Sequence, residues 1–177
     1  MAGPSGVGKG TVVRRVRERV PRLRLSISAT TRLRRLPFEQ DGVDYFFVGD
    51  QEFDALVRDG ELLEWATVFG ERYGTPRRWV EETLASGHDV ILEIDVQGAK
   101  QVRDAMPEAV LIFLAPPSPE ELERRLRERG TEDEGTLARR LADAGSELLQ
   151  RGWFHHVVVN EDVEHASSQV AAIIEAS

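Results

Sequence analysis

The stretch "GPSGVGKGT", residues 3–11, constrains the fold more than any other part of the chain. It nearly satisfies G-x-x-x-x-G-K-[ST]: Gly3, Gly8 and Lys9 are in place, but Gly10 stands where a hydroxyl is expected and Thr11 comes one position later. Glycines let backbone N–H groups turn inward around a phosphate, the following helix aims its positive end at it, and Lys9 adds a full charge. Val13, Val16 and Val20 then fall at helical spacing and stop at Pro21. A loop of this kind normally sits between a buried strand and a helix, yet almost nothing precedes it here. The expectation is that the central strand is missing because the sequence begins late. The loop would then fray, with lower stability and impaired nucleotide binding.

Downstream, buried strands alternate with helices. "DVILEID" and "AVLIFLA" are short apolar runs of the kind buried on both faces of a parallel sheet, and "HHVVVN" reads as a last buried strand. "LRLSIS", "VDYFFV" and "ELLEWATV" read as further strands, and "DQEFDALVRDG" as a helix closed by Gly60. Thr75 is placed to N-cap a helix with Pro76 in its first turn and Gly87 at its end. Ser118 and Glu121 form a capping box for a charged helix ended by Gly130, and Thr131 and Glu134 repeat it for a second, running to about Arg151. "DVEHASSQVAAIIEA" closes the chain as an amphipathic helix. The pattern spells an α/β fold with a mainly parallel sheet, and residues 28–75 read as an insertion beside it.

Charge narrows the partners. Residues 1–35 hold 10 Lys/Arg and one acid, Glu18, whereas the rest holds 13 bases and 30 acids. A basic start on an acidic body argues against nucleic acid and suits a small, highly charged anion held at one place. Arg14, Arg15, Arg17 and Arg19 also fit a solvated helix face. No apolar run is long enough for a membrane span, no secretory leader is evident, and cytoplasm is the expected location. There is no cysteine. His155 and His156 are adjacent and face opposite ways in a strand, so the histidines read as structural. Trp65 reads as core.

Three further strings join the loop: "SISATTR", "LLEWA…YGT" and "LEIDVQG". With them the chain resembles the guanylate kinases, which move a phosphate from ATP to GMP, from Gly3 to the closing helix. The resemblance implies a P-loop kinase core (about 1–27, 88–122 and 152–177), a GMP-binding insertion (about 28–87) and a helical lid (about 123–151), all one domain. It implies that the ATP phosphates lie on Gly3, Pro4, Ser5, Gly6, Val7, Gly8, Lys9, Gly10 and Thr11, with Asn160 on the adenine side. Arg32 and Arg35 would grip the GMP phosphate with Tyr45 and Tyr73, while Ser28, Glu64, Thr75 and Asp95 would read the base. The family string T-R-x-P-R-P-G-E-x-D-G is here "TRLRRLPFEQDG", one residue longer and without Pro-Gly. Arg34 is therefore an alternative to Arg35. Arg129 and Arg140 are the lid arginines by position, followed by Arg125 and Arg139, and Lys9, Arg32, Arg129 and Arg140 form the catalytic set.

Each residue type suits its implied role. Arginine offers a planar fork for phosphate oxygens, and tyrosine donates without adding charge. The Glu64 carboxylate can accept from both N1–H and the 2-amino group of guanine, whereas adenine presents a bare acceptor at N1. That points to GMP, and dGMP with it, over AMP. Mg²⁺ is expected mainly through ATP phosphates and water, since Gly10 has no hydroxyl, with Thr11 adding a hydrogen bond at most. Glu93, on the same face of "LEID" as Asp95, could act through Mg²⁺ or water. Two other readings remain: a related P-loop kinase with another small phosphorylated acceptor, and a catalytically impaired binding module of guanylate-kinase build.

Overall fold

The computed structural model describes residues 1–68, 70–128 and 134–177. In chain order the elements are α1 (Lys9–Arg19), β1 (Leu23–Leu25), β2 (Ala29–Thr30), β3 (Phe46–Phe47), α2 (Asp50–Arg58), β4 (Leu62–Val68) and β5 (Glu71–Pro76). There follow α3 (Arg77–Ala85), β6 (Asp89–Ile91), α4 (Val96–Ala105), β7 (Ile112–Ala115), α5 (Pro119–Glu128), α6 (Glu134–Leu149), β8 (His156–Val159) and α7 (Val163–Glu175). The fold is the expected α/β type, with parallel strand pairs flanked by helices. The chain divides into two compact units, one of residues 1–21, 93–96 and 110–177, the other of residues 22–92 and 97–109.

In the first unit β7 and β8 pair in parallel, Ile112 opposite His156 through Ala115 opposite Val159. Leu111 to Ala115 are all buried, as their unbroken apolar run requires. β8 departs from expectation: Val158 is buried, but Val157 and Val159 are exposed, because β8 has β7 as its one partner and presents its other face to solvent. Helix α1 buries Val13 and Val16 and packs against α7, and Val20 just beyond it is also buried. Arg15 and Arg19 reach Glu164 across that seam, both largely in solvent, while Arg14 and Arg17 are exposed. Ser118 accepts from the Glu121 N–H at 3.2 Å, but the Glu121 carboxylate turns to Arg124 and Arg125 instead of closing the box. Asp162 caps α7 by accepting from the His165 N–H. Gly130 and Thr131 lie outside the described residues.

The start of the glycine loop, where fraying is expected, is hydrogen-bonded to the neighbouring backbone. Met1 and Ala2 form a single bridge, not a full strand. Ala2 nevertheless pairs in parallel with Phe113, donating to the Ile112 carbonyl at 2.8 Å and accepting from the Leu114 N–H at 2.7 Å. The Met1 carbonyl accepts from the Ile94 N–H at 3.3 Å, and Met1 and Ala2 are buried. These bonds hold the backbone that enters the loop. Gly3 follows at φ 150°, where a Cβ would lie 2.2 Å from the Leu114 carbonyl oxygen. Gly3→Ala should therefore destabilise the protein by about 3 kcal/mol, on the order of 10 °C in Tm, because a backbone atom of β7 cannot yield. Gly87→Ala, at φ 81° with nothing within 4 Å, should cost only about 1 kcal/mol. Thermal melts of the two variants check the contrast.

The second unit holds the parallel pair β1–β6 and a mixed sheet in the order β3-β2-β5-β4. Ala29, Phe53 and Leu62 form its small core, with Phe46, Val48, Leu56 and Val57 packed against them. Three sequence expectations are revised here. The strands read into "LRLSIS", "VDYFFV" and "DVILEID" form over only three, two and three residues. Thr75 does not cap α3: it lies within β5, paired with Glu64, and Pro76 takes the N-cap position with no side-chain bond. Trp65 is not core. Its ring lies edge-on to Phe53 and is 39% exposed, since β4 carries Glu64 on the buried face and Trp65 on the other.

Candidate functional site

The first unit builds the glycine loop from the sequence upward. Gly6 and Gly8 adopt φ 86° and 94°, conformations that L side chains rarely take, and these turn the chain from Met1–Ala2 into α1. No side chain caps α1, and its first turn has no acid, so its N-terminal amides and dipole are kept for an anion. The Lys9 ammonium folds back over the loop and donates to the Gly3 and Pro4 carbonyls at 2.6 and 3.2 Å.

Neighbouring elements brace this loop. Asn160, buried at the end of β8, donates its side-chain N–H to the Val7 carbonyl at 2.8 Å, and its own carbonyl accepts from Arg125 at 3.0 Å. A Cβ at Gly8 would meet the Asn160 Nδ2 at 2.7 Å, so that glycine permits the contact. Arg140 of α6 reaches the Ser5 hydroxyl at 3.3 Å. The structure thus brings Asn160, Arg125 and Arg140 to the loop. Arg129 lies outside the described residues. Glu93 is exposed, and a Cβ at Gly10 would stand 3.4 Å from its Oε2, so this carboxylate borders the position where the strict motif places its hydroxyl. Asp95 belongs to the same unit.

Sequence reasoning missed Glu147. Its Oε2 is buried without a hydrogen-bond partner, and burial pushes the carboxyl up to about 7; Lys9 pulls it down, and Asp95 and Asp143 push it further up. A carboxyl held above its unfolded value binds its proton more firmly in the folded state. The stability it lends is complete below about pH 4.5 and is lost as pH rises toward 7. Glu147→Gln removes that loss. The melting temperature of the variant should gain on the unsubstituted chain by several degrees between pH 5 and 8, which melts across that range would read. Nothing in the sequence of α6, which also carries Glu134, Arg139, Arg140 and Asp143, singles this position out.

The second unit assembles the other predicted cluster. Glu64 on β4 is 5% exposed and accepts from the Thr75 hydroxyl of β5 at 2.6 Å, the two being register partners on one face. The Ser28 carbonyl accepts from the Phe46 N–H, which ties residue 28 to β3. Tyr45 and Tyr73 meet edge-on with ring centres 6.0 Å apart. The Arg32 guanidinium lies 5.3 Å from the Tyr45 ring and 5.7 Å from that of Phe47. Arg34 and Arg35 are exposed.

Two side chains absent from the sequence-derived set complete the surroundings. Glu39 forms a two-pronged pair with Arg32 and accepts from the Arg35 N–H at 2.8 Å. The glutamate of the family string falls on it, so the signal was there to be used. Gln101 of α4 accepts from the Trp65 N–H at 3.1 Å and donates to the Trp65 carbonyl at 2.7 Å, fixing the backbone next to Glu64. Chemically, one unit offers an anion cradle with a lysine, and the other a buried carboxylate beside an arginine–tyrosine cluster.

The family description "Guanylate kinase" matches residues 1–177. The chain is 55% identical over 173 residues to the guanylate kinase of Streptomyces coelicolor, covering 98% of this chain and 87% of that protein. To the guanylate kinase of Synechococcus sp. (strain CC9311) it is 54% identical, covering 96% and 89%. The crystal structure of guanylate kinase from Anaplasma phagocytophilum superposes with a TM-score of 0.76 at 37% identity, covering 95% of this chain and 80% of that one.

Proposed function

Because this chain belongs to the guanylate kinase family, we propose that it transfers the γ-phosphate of ATP to GMP, and to dGMP, giving ADP and GDP or dGDP. The observation that carries the acceptor assignment is the buried Glu64 carboxylate beside the Thr75 hydroxyl. Guanine donates from N1–H and its 2-amino group to such a carboxylate; adenine would set lone pair against lone pair. Ser28 and Asp95 complete the base-reading set, and Arg32, Arg35, Tyr45 and Tyr73 hold the acceptor phosphate, with Arg34 as the alternative to Arg35.

The reading divides the chain into a core, an insertion over about 28–87 and a lid over about 123–151. The donor lies on the loop from Gly3 to Thr11, with Asn160 on its adenine side. The acceptor phosphate is already an anionic nucleophile, so no general base is required. Lys9, Arg32, Arg129 and Arg140 neutralise charge that builds on the transferred group, and excluding water protects ATP from hydrolysis. The donor set fits a metal that arrives with the nucleotide: Gly10 has no hydroxyl, and the Glu93 carboxylate beside it can accept from metal-bound water. Mg²⁺, when bound, would supply neutralisation of the phosphate charge. Among the described residues no helix is long and apolar enough to cross a membrane. We place the activity in the cytoplasm, without nucleic acid or membrane as partner.

A coupled assay with ATP and Mg²⁺ against GMP, dGMP, AMP and UMP tests the reading. GMP should exceed AMP and UMP in kcat/KM by about 10³ or more, with dGMP next. A preference for AMP or UMP, or no transfer to any of the four, refutes it.

A further inference from the structure

From the geometry around Arg32 we infer that Glu39 is a positioning residue for the acceptor phosphate: it holds the end of the Arg32 guanidinium so that the Nε edge of the fork faces the ligand. The inference rests on the reading of Arg32 as a phosphate-gripping residue.

A guanidinium carries five N–H donors in one plane. Glu39 takes two from the end of the fork, Nη1 to its Oε2 at 3.1 Å and Nη2 to its Oε1 at 2.6 Å. The Leu33 carbonyl takes the second Nη1 donor at 2.9 Å. What remains is Nε–H and the second N–H of Nη2. These two share an edge and match two oxygens of a phosphate. The Tyr45 and Phe47 rings flank the same guanidinium. The plane therefore has little freedom to turn.

The pair is sheltered, with side chains 13% and 15% exposed, so it is worth more than a solvated surface pair. The arginine is held charged more firmly than usual and the Glu39 carboxyl below its ordinary range, mainly by their mutual hydrogen bonds. Glu39 is itself presented by one tight turn: the Arg35 carbonyl accepts from the N–H groups of Phe38 and Glu39, and Glu39 returns a bond to the Arg35 N–H. One carboxylate thus sets the fork of Arg32 and the backbone of Arg35.

This arrangement distinguishes a brace from an internal competitor. A carboxylate occupying the phosphate's own donors would have to leave before the acceptor bound, and its removal would tighten binding. Glu39 occupies the neighbouring edge and takes neither of those two N–H donors, so its removal should loosen binding.

The test is Glu39→Gln, with GMP and guanosine affinities measured by calorimetry and KM measured for GMP and ATP. GMP affinity should fall by about 20-fold or more, because the amide can accept from only one prong of the guanidinium and sets an N–H against the other. Guanosine affinity and the KM for ATP should stay within about threefold, and kcat should change less than the KM for GMP. Glu39→Asp should fall between, and in an Arg32→Ala background Glu39→Gln should add little. If Glu39→Gln does not fold, Glu39→Asp and the double variant carry the decision. Tighter GMP binding, an equal loss for guanosine, or an undiminished effect without Arg32 would overturn the inference. If the unsubstituted chain phosphorylates a different monophosphate, the assigned acceptor is wrong, and the same comparison made with that acceptor still decides the role of Glu39.

Discussion

Lys9→Met is expected to lower kcat by about 10³-fold with a much smaller change in the KM for the acceptor. Two consequences combine. The ammonium is the one full positive charge on the loop itself, and charge spreads over the phosphoryl oxygens as the transfer proceeds. It is also bonded to the Gly3 and Pro4 carbonyls, so its loss removes a tie across the loop's entrance. Lys9→Arg keeps the charge but not the compact head, and a planar fork cannot make the same contacts at Gly3. It should recover only a minor part of the rate. Single-turnover rates with each variant, beside thermal melts, separate the two effects. If Lys9→Met retained more than a tenth of the rate, the lysine would have no electrostatic role in the transfer.

Glu64→Gln should produce the largest change in selectivity. The carboxylate is buried, and the Thr75 hydroxyl donates to it. Guanine supplies two donors in register with two carboxylate oxygens. Glutamine replaces one acceptor with an N–H₂ donor facing the purine's own N–H. We expect kcat/KM for GMP to fall by about 10³-fold, since buried polar groups are left unpaired or opposed. AMP should lose far less, so the preference narrows. Thr75→Val should cost GMP about tenfold, through the lost hydrogen bond to the carboxylate. Retention of full selectivity by Glu64→Gln would mean that the base is read elsewhere.

Where local chemistry decides a feature, the letters disclose it. Val13, Val16 and Val20 turn inward because their spacing matches the helix, and the run ending in Ala115 is buried because no polar residue interrupts it. Gly8 helps identify the loop because few other residues allow that backbone, and Lys9 because it sets a charge directly beside it. Features set by pairing were harder. Thr75 looked like a helix cap, as its hydroxyl could serve an N–H two or three residues on; the strand opposite offers Glu64, a stronger acceptor. Trp65 looked like core because it is large and apolar, yet alternation along β4 gives the buried face to its charged neighbour. Met1 and Ala2 were too few to show a periodicity, and their anchoring comes from strands more than 90 residues later. Gln101 escaped for a related reason, since an amide announces nothing until its partner is in place, and Glu147 because packing alone buries its carboxylate.

The outer side of β4 has a consequence of its own. An uncovered strand margin recruits strands from other molecules, and a strand that bears a recognition group is a poor place for such an encounter. At Trp65 the Gln101 amide imitates a neighbouring peptide, giving one N–H and taking one. The backbone beside Glu64 is thereby withheld from pairing with a foreign strand at that point, and a single side chain does it.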